Sequence, residues 1–195
     1  PATTLLETAR RADGGAALIV ASSRFIKEHG LQRKRAPVVI SGGEASGPLF
    51  PPKVIDEDMF SCEQAARAAY EAAQLGPHDI DFFGLYDCFP VCLIRAIEAV
   101  GLAPRGQGGE FVEEKYKLLK SKGASASPDE FPINTHGGLL AFGAPWELPA
   151  IYNIIEAVEQ LRGTAGARQL SRVRRALVYG NGGVFSSSAL CILGR

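Results

Sequence analysis

The feature that most constrains this chain is the alternation of short apolar runs with segments of helical length. Ala16–Val20, Ala36–Ser41, Asp81–Tyr86, Val173–Tyr179 and Ser186–Leu193 are too short for core helices and suit strands. Ala16–Val20 is apolar throughout, as a strand buried on both faces requires. Between the runs lie segments with helix signals. Ser22–His29 is closed by Gly30, and the Ala-rich Cys62–Leu75 opens on the capping box Ser61-x-x-Gln64 and ends at Gly76-Pro77. Asp87 is placed to cap a helix over Cys88–Val100, whose first turn tolerates Pro90. Ile151, Ile154, Ile155, Val158 and Leu161 share one helical face ahead of Gly163. Such alternation predicts an α/β fold in which helices cover a sheet.

Two connecting regions read as loops. Gly42–Pro52 is rich in Gly, Pro and Ser, and about 103–131 reads as an exposed, irregular insertion containing one charged helix near Phe111–Lys120. Gly180-Asn181-Gly182-Gly183 joins the last two strands. At 195 residues and 46% hydrophobic, the chain can bury the core of one domain, or of one half of a duplicated fold.

Charge excludes two classes of partner. Lys+Arg and Asp+Glu both number 21, which argues against nucleic acid or an anionic membrane surface. No targeting signal is read in Pro1-Ala2-Thr3-Thr4, and the apolar run Ala16–Ala21 is too short to span a bilayer. Cys62, Cys88, Cys92 and Cys191 follow no disulfide or zinc spacing, so reduced thiols in a cytoplasmic setting and no metal are expected. Cys88 and Cys92 are spaced for packing on one helix face. His29 and His78 lie in polar surroundings and read as surface residues.

Ile133–Trp146 is the segment richest in potential chemistry. Gly137 and Gly138 can bring backbone N–H groups to a ligand, Asn134 and His136 add polar side chains, and Pro145 suits the opening turn of a helix. Such a turn could hold a developing oxyanion. A plain Gly-rich crossover with Asn134 as a turn residue explains the spacing equally well. A nucleotide P-loop does not, because Ala144-Pro145 stands where Lys-Ser/Thr is required.

Four stretches in order resemble one family. Residues 134–145, Asn-Thr-His-Gly-Gly-Leu-Leu-Ala-Phe-Gly-Ala-Pro, resemble the Asn-Pro-Ser-Gly-Gly-Leu-x-x-x-Gly-His-Pro run of sterol carrier protein-type thiolases and their lipid-transfer-protein relatives. Asp13-Gly14-Gly15-Ala16-Ala17 resembles their Asp-Gly-Ala-Ala, Tyr86-Asp87-Cys88-Phe89 their His-Asp-Cys-Phe, and Tyr179-Gly180-Asn181-Gly182-Gly183 their last glycine-rich loop. The resemblance covers the C-terminal half of a thiolase. It implies a thiolase-like fold in which a mixed sheet covered by helices forms one half of a five-layered αβαβα architecture. It also implies an N-terminal half-domain as partner, a homodimer, and a coenzyme A thioester as substrate.

Departures from the pattern shift the implied chemistry. Ala144 replaces the histidine of Gly-His-Pro, Tyr179 stands in place of the last-loop cysteine, and Tyr86 replaces the first histidine of His-Asp-Cys-Phe. Phenols can pass protons but cannot serve a Claisen thiolase as Cys and His do. The pattern resembles the aldolases that shorten steroid side chains and work with a small OB-fold, acyl-CoA-associated partner. On that resemblance Tyr86 and Tyr179 carry protons in a retro-aldol cleavage of a bulky 3-hydroxyacyl-CoA. His136, with the Gly137 and Gly138 amides, holds the enolate oxygen, and Asn134, Asp87, Gly182 and Gly183 shape the substrate site.

Each residue also has a plainer reading: Tyr86 and Tyr179 as core aromatics, Asp87 as a helix cap. Arg172, Arg174 and Arg175 could meet coenzyme A phosphates or simply face solvent. At the level of function, the alternatives are a thiolase or acyltransferase whose nucleophilic cysteine lies in the N-terminal half, and a non-catalytic acyl-CoA-binding or assembly subunit.

Overall fold

The computed structural model describes residues 4–31, 36–50, 53–54, 56–146 and 148–195. The readings at Pro1–Thr3 and at Pro51-Pro52 lie outside these residues. The described helices are α1 (Ser23–Glu28), α2 (Cys62–Ala73), α3 (Pro90–Ala99), α4 (Gly108–Lys122), α5 (Gly138–Phe142) and α6 (Leu148–Arg162), and the strands are β1 (Val38–Ser46), β2 (Phe82–Leu85), β3 (Arg175–Gly182) and β4 (Ser187–Gly194).

The four strands form one mixed sheet in the order β1-β4-β3-β2. β2 runs parallel to β3, while β4 is antiparallel to both β3 and β1. Alternation along the strands sends side chains to two cores. Phe83, Leu85, Leu177, Tyr179 and Ile192 pack with Cys62, Ala65 and Ala69 of α2 and Ala96 and Ile97 of α3. On the opposite face Phe82, Ala176, Val178 and Leu193 pack with Ala157 and Leu161 of α6. A fully buried Leu or Phe here contributes about 1.5–3 kcal/mol, so packing on both faces is what holds β2, β3 and β4 between the helices. α2 lies so close to β1 that a Cβ on Gly43 would come within 2.2 Å of the Ala65 carbonyl oxygen.

The α/β reading holds, and several elements differ from expectation for physical reasons. Ala16–Val20 is not a strand: the segment has no ladder partner among the described residues, and Ile19 and Val20 are 97% and 87% exposed. Gly42–Ser46 is not a loop but the second half of β1, where pairing with Cys191 through Ser187 of β4 overrides poor strand propensity. Gly180–Gly182 likewise belongs to β3, so the hairpin turn is residues 183–186.

The helix over 62–75 forms, but Ser61 does not cap it. Its backbone is already helical, and its hydroxyl donates to the Phe185 carbonyl at 2.7 Å and meets the Ser188 hydroxyl at 2.8 Å. Asp87 does not cap α3 either, and its role is described below. The region near 103–131 is dominated by the fifteen-residue, largely exposed α4. On α6 the inward face is Pro149, Asn153, Glu156, Ala157, Gln160 and Leu161 rather than the expected aliphatic stripe; Glu156 and Gln160 find hydrogen-bond partners there, whereas the buried Asn153 carboxamide does not.

Candidate active site

The end of β2 is joined to the glycine turn by one side chain. Asn134, at φ 46°, accepts from the Leu85 amide at 2.7 Å and donates to the Leu85 carbonyl at 2.8 Å, standing in for a neighbouring strand where the ladder stops. Its own amide donates to the Phe83 carbonyl at 2.9 Å, and its carbonyl accepts from Gly137 at 2.7 Å. The carboxamide expected at the substrate is therefore committed to backbone, and so is the Gly137 N–H expected at the enolate oxygen.

Asp87, 2% exposed, reaches across to α5 and accepts from the Leu139 amide at 2.8 Å and the Leu140 amide at 3.4 Å. Burial pushes its carboxyl above the ordinary range, and those amides pull partly the other way. A Cβ on Gly138 would lie 2.1 Å from Asp87 Oδ2, so glycine at φ 65° is what lets the carboxylate reach the helix. Asp87 is thus held against the first turn of α5.

His136 faces another compartment. Its ring stacks on Phe142 with centroids 5.8 Å apart, and its buried Nδ1 has no hydrogen-bond partner. With Asp13, Tyr152, Ile155, Glu156 and Arg168 it lines a cavity of about 360 Å³ beside α6. Burial lowers the imidazole pKa, favouring the neutral ring at neutral pH; Glu156 opposes this and Arg168 adds to it.

Glu156, 3% exposed, accepts from Thr135 Oγ1 at 2.6 Å, Arg168 Nη2 at 2.9 Å and Gln160 Nε2 at 3.2 Å. Burial alone would raise its pKa, but these donors outweigh burial and hold the carboxyl below the ordinary range. Sequence reading missed Glu156 and Arg168. A carboxylate between Ile155 and Ala157, in an otherwise aliphatic helix, was the available signal.

Tyr179 lies on the other face of the sheet. Its ring is 0% exposed, and its hydroxyl is 3.3 Å from Ser188 Oγ, which in turn meets Ser61 Oγ at 2.8 Å. Burial raises its pKa and keeps the phenol neutral. Tyr86 is part-buried against the same core. Leu85 is the register partner of Tyr179 in the parallel β2–β3 pair, so the two phenols come from the same end of neighbouring strands. Gly182 and Gly183 lie at the β3–β4 turn, Gly183 at φ 59°.

Ala144 holds no imidazole at its turn; its amide donates to the Arg10 carbonyl at 2.6 Å, docking residues 10–12 against Gly143. The structure therefore brings Tyr86 and Tyr179 to the same end of neighbouring strands, ties Asp87 and Gly138 to α5, and sets His136 apart with Glu156. Among the described residues no group of three His, Cys, Asp or Glu side chains is arranged to hold a metal ion, and no helix is long and apolar enough to cross a membrane.

This mixed sheet between helices, with a glycine turn closing on the end of its parallel pair, defines a thiolase-type domain. Residues 54–195 match the thiolase C-terminal domain-like family, and the chain belongs to it. Over 184 residues it is 35% identical to sterol carrier protein 2 of Rattus norvegicus, covering 92% of this chain and 32% of that protein. It is 31% identical over 193 residues to an acetyl-CoA acetyltransferase of Methanothermobacter thermautotrophicus, covering 98% of this chain and 47% of the relative. The solved structure of an Ltp2-ChsH2(DUF35) aldolase superposes with a TM-score of 0.62 at 26% identity, over 81% of this chain and 39% of that one. The chain thus spans about a third of the length of the sterol carrier protein 2 relative and under half of the other two.

Proposed function

We propose that this chain forms the C-terminal half of an acyl-CoA lyase that cleaves a bulky, steroid-like 3-hydroxyacyl-CoA by a retro-aldol reaction. The observation that carries the reading is the pairing of Leu85 with Tyr179, which supports two phenols acting at one sheet end where thiolases use other side chains. Similarity to an aldolase structure supports it further.

In the proposed step a base removes the 3-hydroxyl proton and the C2–C3 bond breaks. The carbonyl product leaves, and the electron pair passes into the thioester enolate. A proton delivered to C2 completes the shortened acyl-CoA. Tyr179, kept protonated by burial, suits the acid role, and Tyr86 suits the base. Because Tyr179 is enclosed in this chain, its proton passes through Ser188 or reaches substrate when the turn at Phe185 moves. The Gly138 amide remains the proposed holder of the enolate oxygen, and Gly182 and Gly183 leave room for substrate; His136, which faces the compartment beside α6, joins the amide only if the Gly137-Gly138 turn moves.

The exposed apolar segment Leu18–Val20 supports an N-terminal half-domain as its cover. Homodimer formation, a small OB-fold acyl-CoA-associated partner and a cytoplasmic setting belong to the same proposal; the partner has its parallel in the ChsH2(DUF35) component of the aldolase neighbour. A second reading, thiolysis or acyl transfer with a nucleophilic cysteine in the N-terminal half, is favoured by the similarity to an acetyltransferase. Product analysis separates the two. With no added coenzyme A, the full-length protein and its partner should release an aldehyde or ketone and a shortened acyl-CoA. Cleavage of the 3-ketoacyl-CoA counterpart that proceeds only with free coenzyme A and yields two acyl thioesters, with the 3-hydroxyacyl-CoA left intact, supports thiolysis and overturns the aldolase reading.

A further inference from the structure

The cysteines in the turn after β2 are not used by the chemistry above, although they flank it. Cys88 directly follows Tyr86-Asp87, and its Sγ lies 3.5 Å from Cys92 Sγ. Both are free thiols and only part-buried, whereas Cys62 is 0% exposed. We propose that Cys88 and Cys92 form a thiol–disulfide exchange site that reacts with a small-molecule disulfide of the glutathione type.

The backbone around the pair favours this step. Cys88 precedes α3, and Phe89, the residue between it and the helix, is extended at φ −141° and ψ 153°. Cys88 can therefore shift without breaking a helical hydrogen bond. Cys92 is held in the first turn, its amide donating to the Phe89 carbonyl at 3.0 Å. Closing the sulfurs from contact to a bond of about 2.05 Å is an approach of roughly 1.5 Å, within reach of side-chain rotation and a small movement of Cys88.

The two thiols are unequal. Pairing with Cys92 holds the Cys88 thiol below its ordinary pKa despite burial, while the Cys92 thiol is pushed up, chiefly by the same pairing. Cys88 is then the attacking sulfur. Its thiolate attacks one sulfur of oxidised glutathione and expels a glutathione thiolate, which takes up a proton. Cys92, deprotonated in turn, attacks Cys88 Sγ and expels the second glutathione thiolate. Two cysteine thiols are oxidised by two electrons, and one glutathione disulfide is reduced to two thiols. The new bond ties the Tyr86-Asp87 turn to α3.

Trypsin supplies a clean readout, since residues 68–95 contain Cys88 and Cys92, no internal Lys or Arg, and neither other cysteine. The full-length protein is equilibrated with oxidised glutathione, alkylated and digested. Peptide 68–95 is expected unalkylated and two hydrogens lighter than the reduced form, and reduction should restore two alkylatable thiols. Cys92→Ser is expected to accumulate one glutathione on Cys88. Recovery of peptide 68–95 with both thiols alkylated, or with a separate glutathione on each, overturns the proposal. The readout is a mass, so it stands or falls independently of acyl-CoA cleavage.

Discussion

Replacing Gly138 with alanine tests how the glycine turn is held. The added Cβ would sit 2.1 Å from Asp87 Oδ2 and 2.7 Å from Cγ, at a φ of 65°. A non-glycine residue in that left-handed region costs about 1–2 kcal/mol. Moving the carboxylate away also forfeits its 2.8 Å bond from Leu139 N–H, a charged hydrogen bond of about 1.5–3 kcal/mol, together with the weaker 3.4 Å bond from Leu140. The combined cost is about 3–5 kcal/mol. For a domain of this size that corresponds to roughly 2–4 °C of Tm per kcal/mol.

Thermal unfolding and amide hydrogen exchange of the full-length protein report it together: Tm falls, and Leu139 and Leu140 exchange faster. In an Asp87→Ala background the clash and the hydrogen bonds are already gone, so the two substitutions should be markedly less than additive. A cost below about 1 kcal/mol for Gly138→Ala, or simple additivity with Asp87→Ala, would refute the view that this carboxylate sets the turn.

Asn134→Ala leaves the buried Leu85 amide and carbonyl without partners and should cost about 3 kcal/mol in urea unfolding, whereas a residue serving substrate alone would leave the midpoint unchanged. Burial depresses the His136 pKa, so as pH falls through the ordinary value of about 6.5 the unfolded chain takes up a proton before the folded one. Stability present above that pH is then lost on acidification, and His136→Gln should flatten the decline in a pH series of unfolding midpoints. Ser188→Ala removes the polar partner of the Tyr179 hydroxyl and should cost about 1 kcal/mol. If Ser188 relays the proton, the same change lowers kcat and leaves KM near its starting value.

Much of the fold could be read locally. β2, β3 and β4 are apolar runs of strand length, and α2, α3 and α6 carry their stops at Gly76, Gly101 and Gly163. The misreadings arise where distant chain decides. Gly42–Ser46 looks like a loop until β4 pairs with it, and Ala16–Val20 looks like a buried strand although it has no strand neighbour among the described residues. In the candidate site the turn at Gly137-Gly138 was legible, because glycines at positive φ are a backbone requirement.

Which polar side chains close on which backbone was not legible. Asn134 and Asp87 carry the groups a ligand could use, yet both are taken up by Leu85, Leu139 and Leu140, partners that lie 49 to 53 positions away in the chain. Spacing also could not separate His136 from the phenols, since a reversal at Gly137 and Gly138 sends it toward α6. The Glu156–Arg168 pair was hidden because helical periodicity counts apolar residues and passes over a buried carboxylate that finds its own donors.

The measurement that bears most directly on the account is carbonyl product release from a bulky 3-hydroxyacyl-CoA by the full-length protein with its partner, compared among the unsubstituted protein, Tyr86→Phe and Tyr179→Phe. Each substitution removes one hydroxyl, and each is predicted to lower kcat by about 10²-fold or more while acyl-CoA binding persists. Undiminished turnover in both variants, with binding intact, would contradict the assignment of proton transfer to the two phenols.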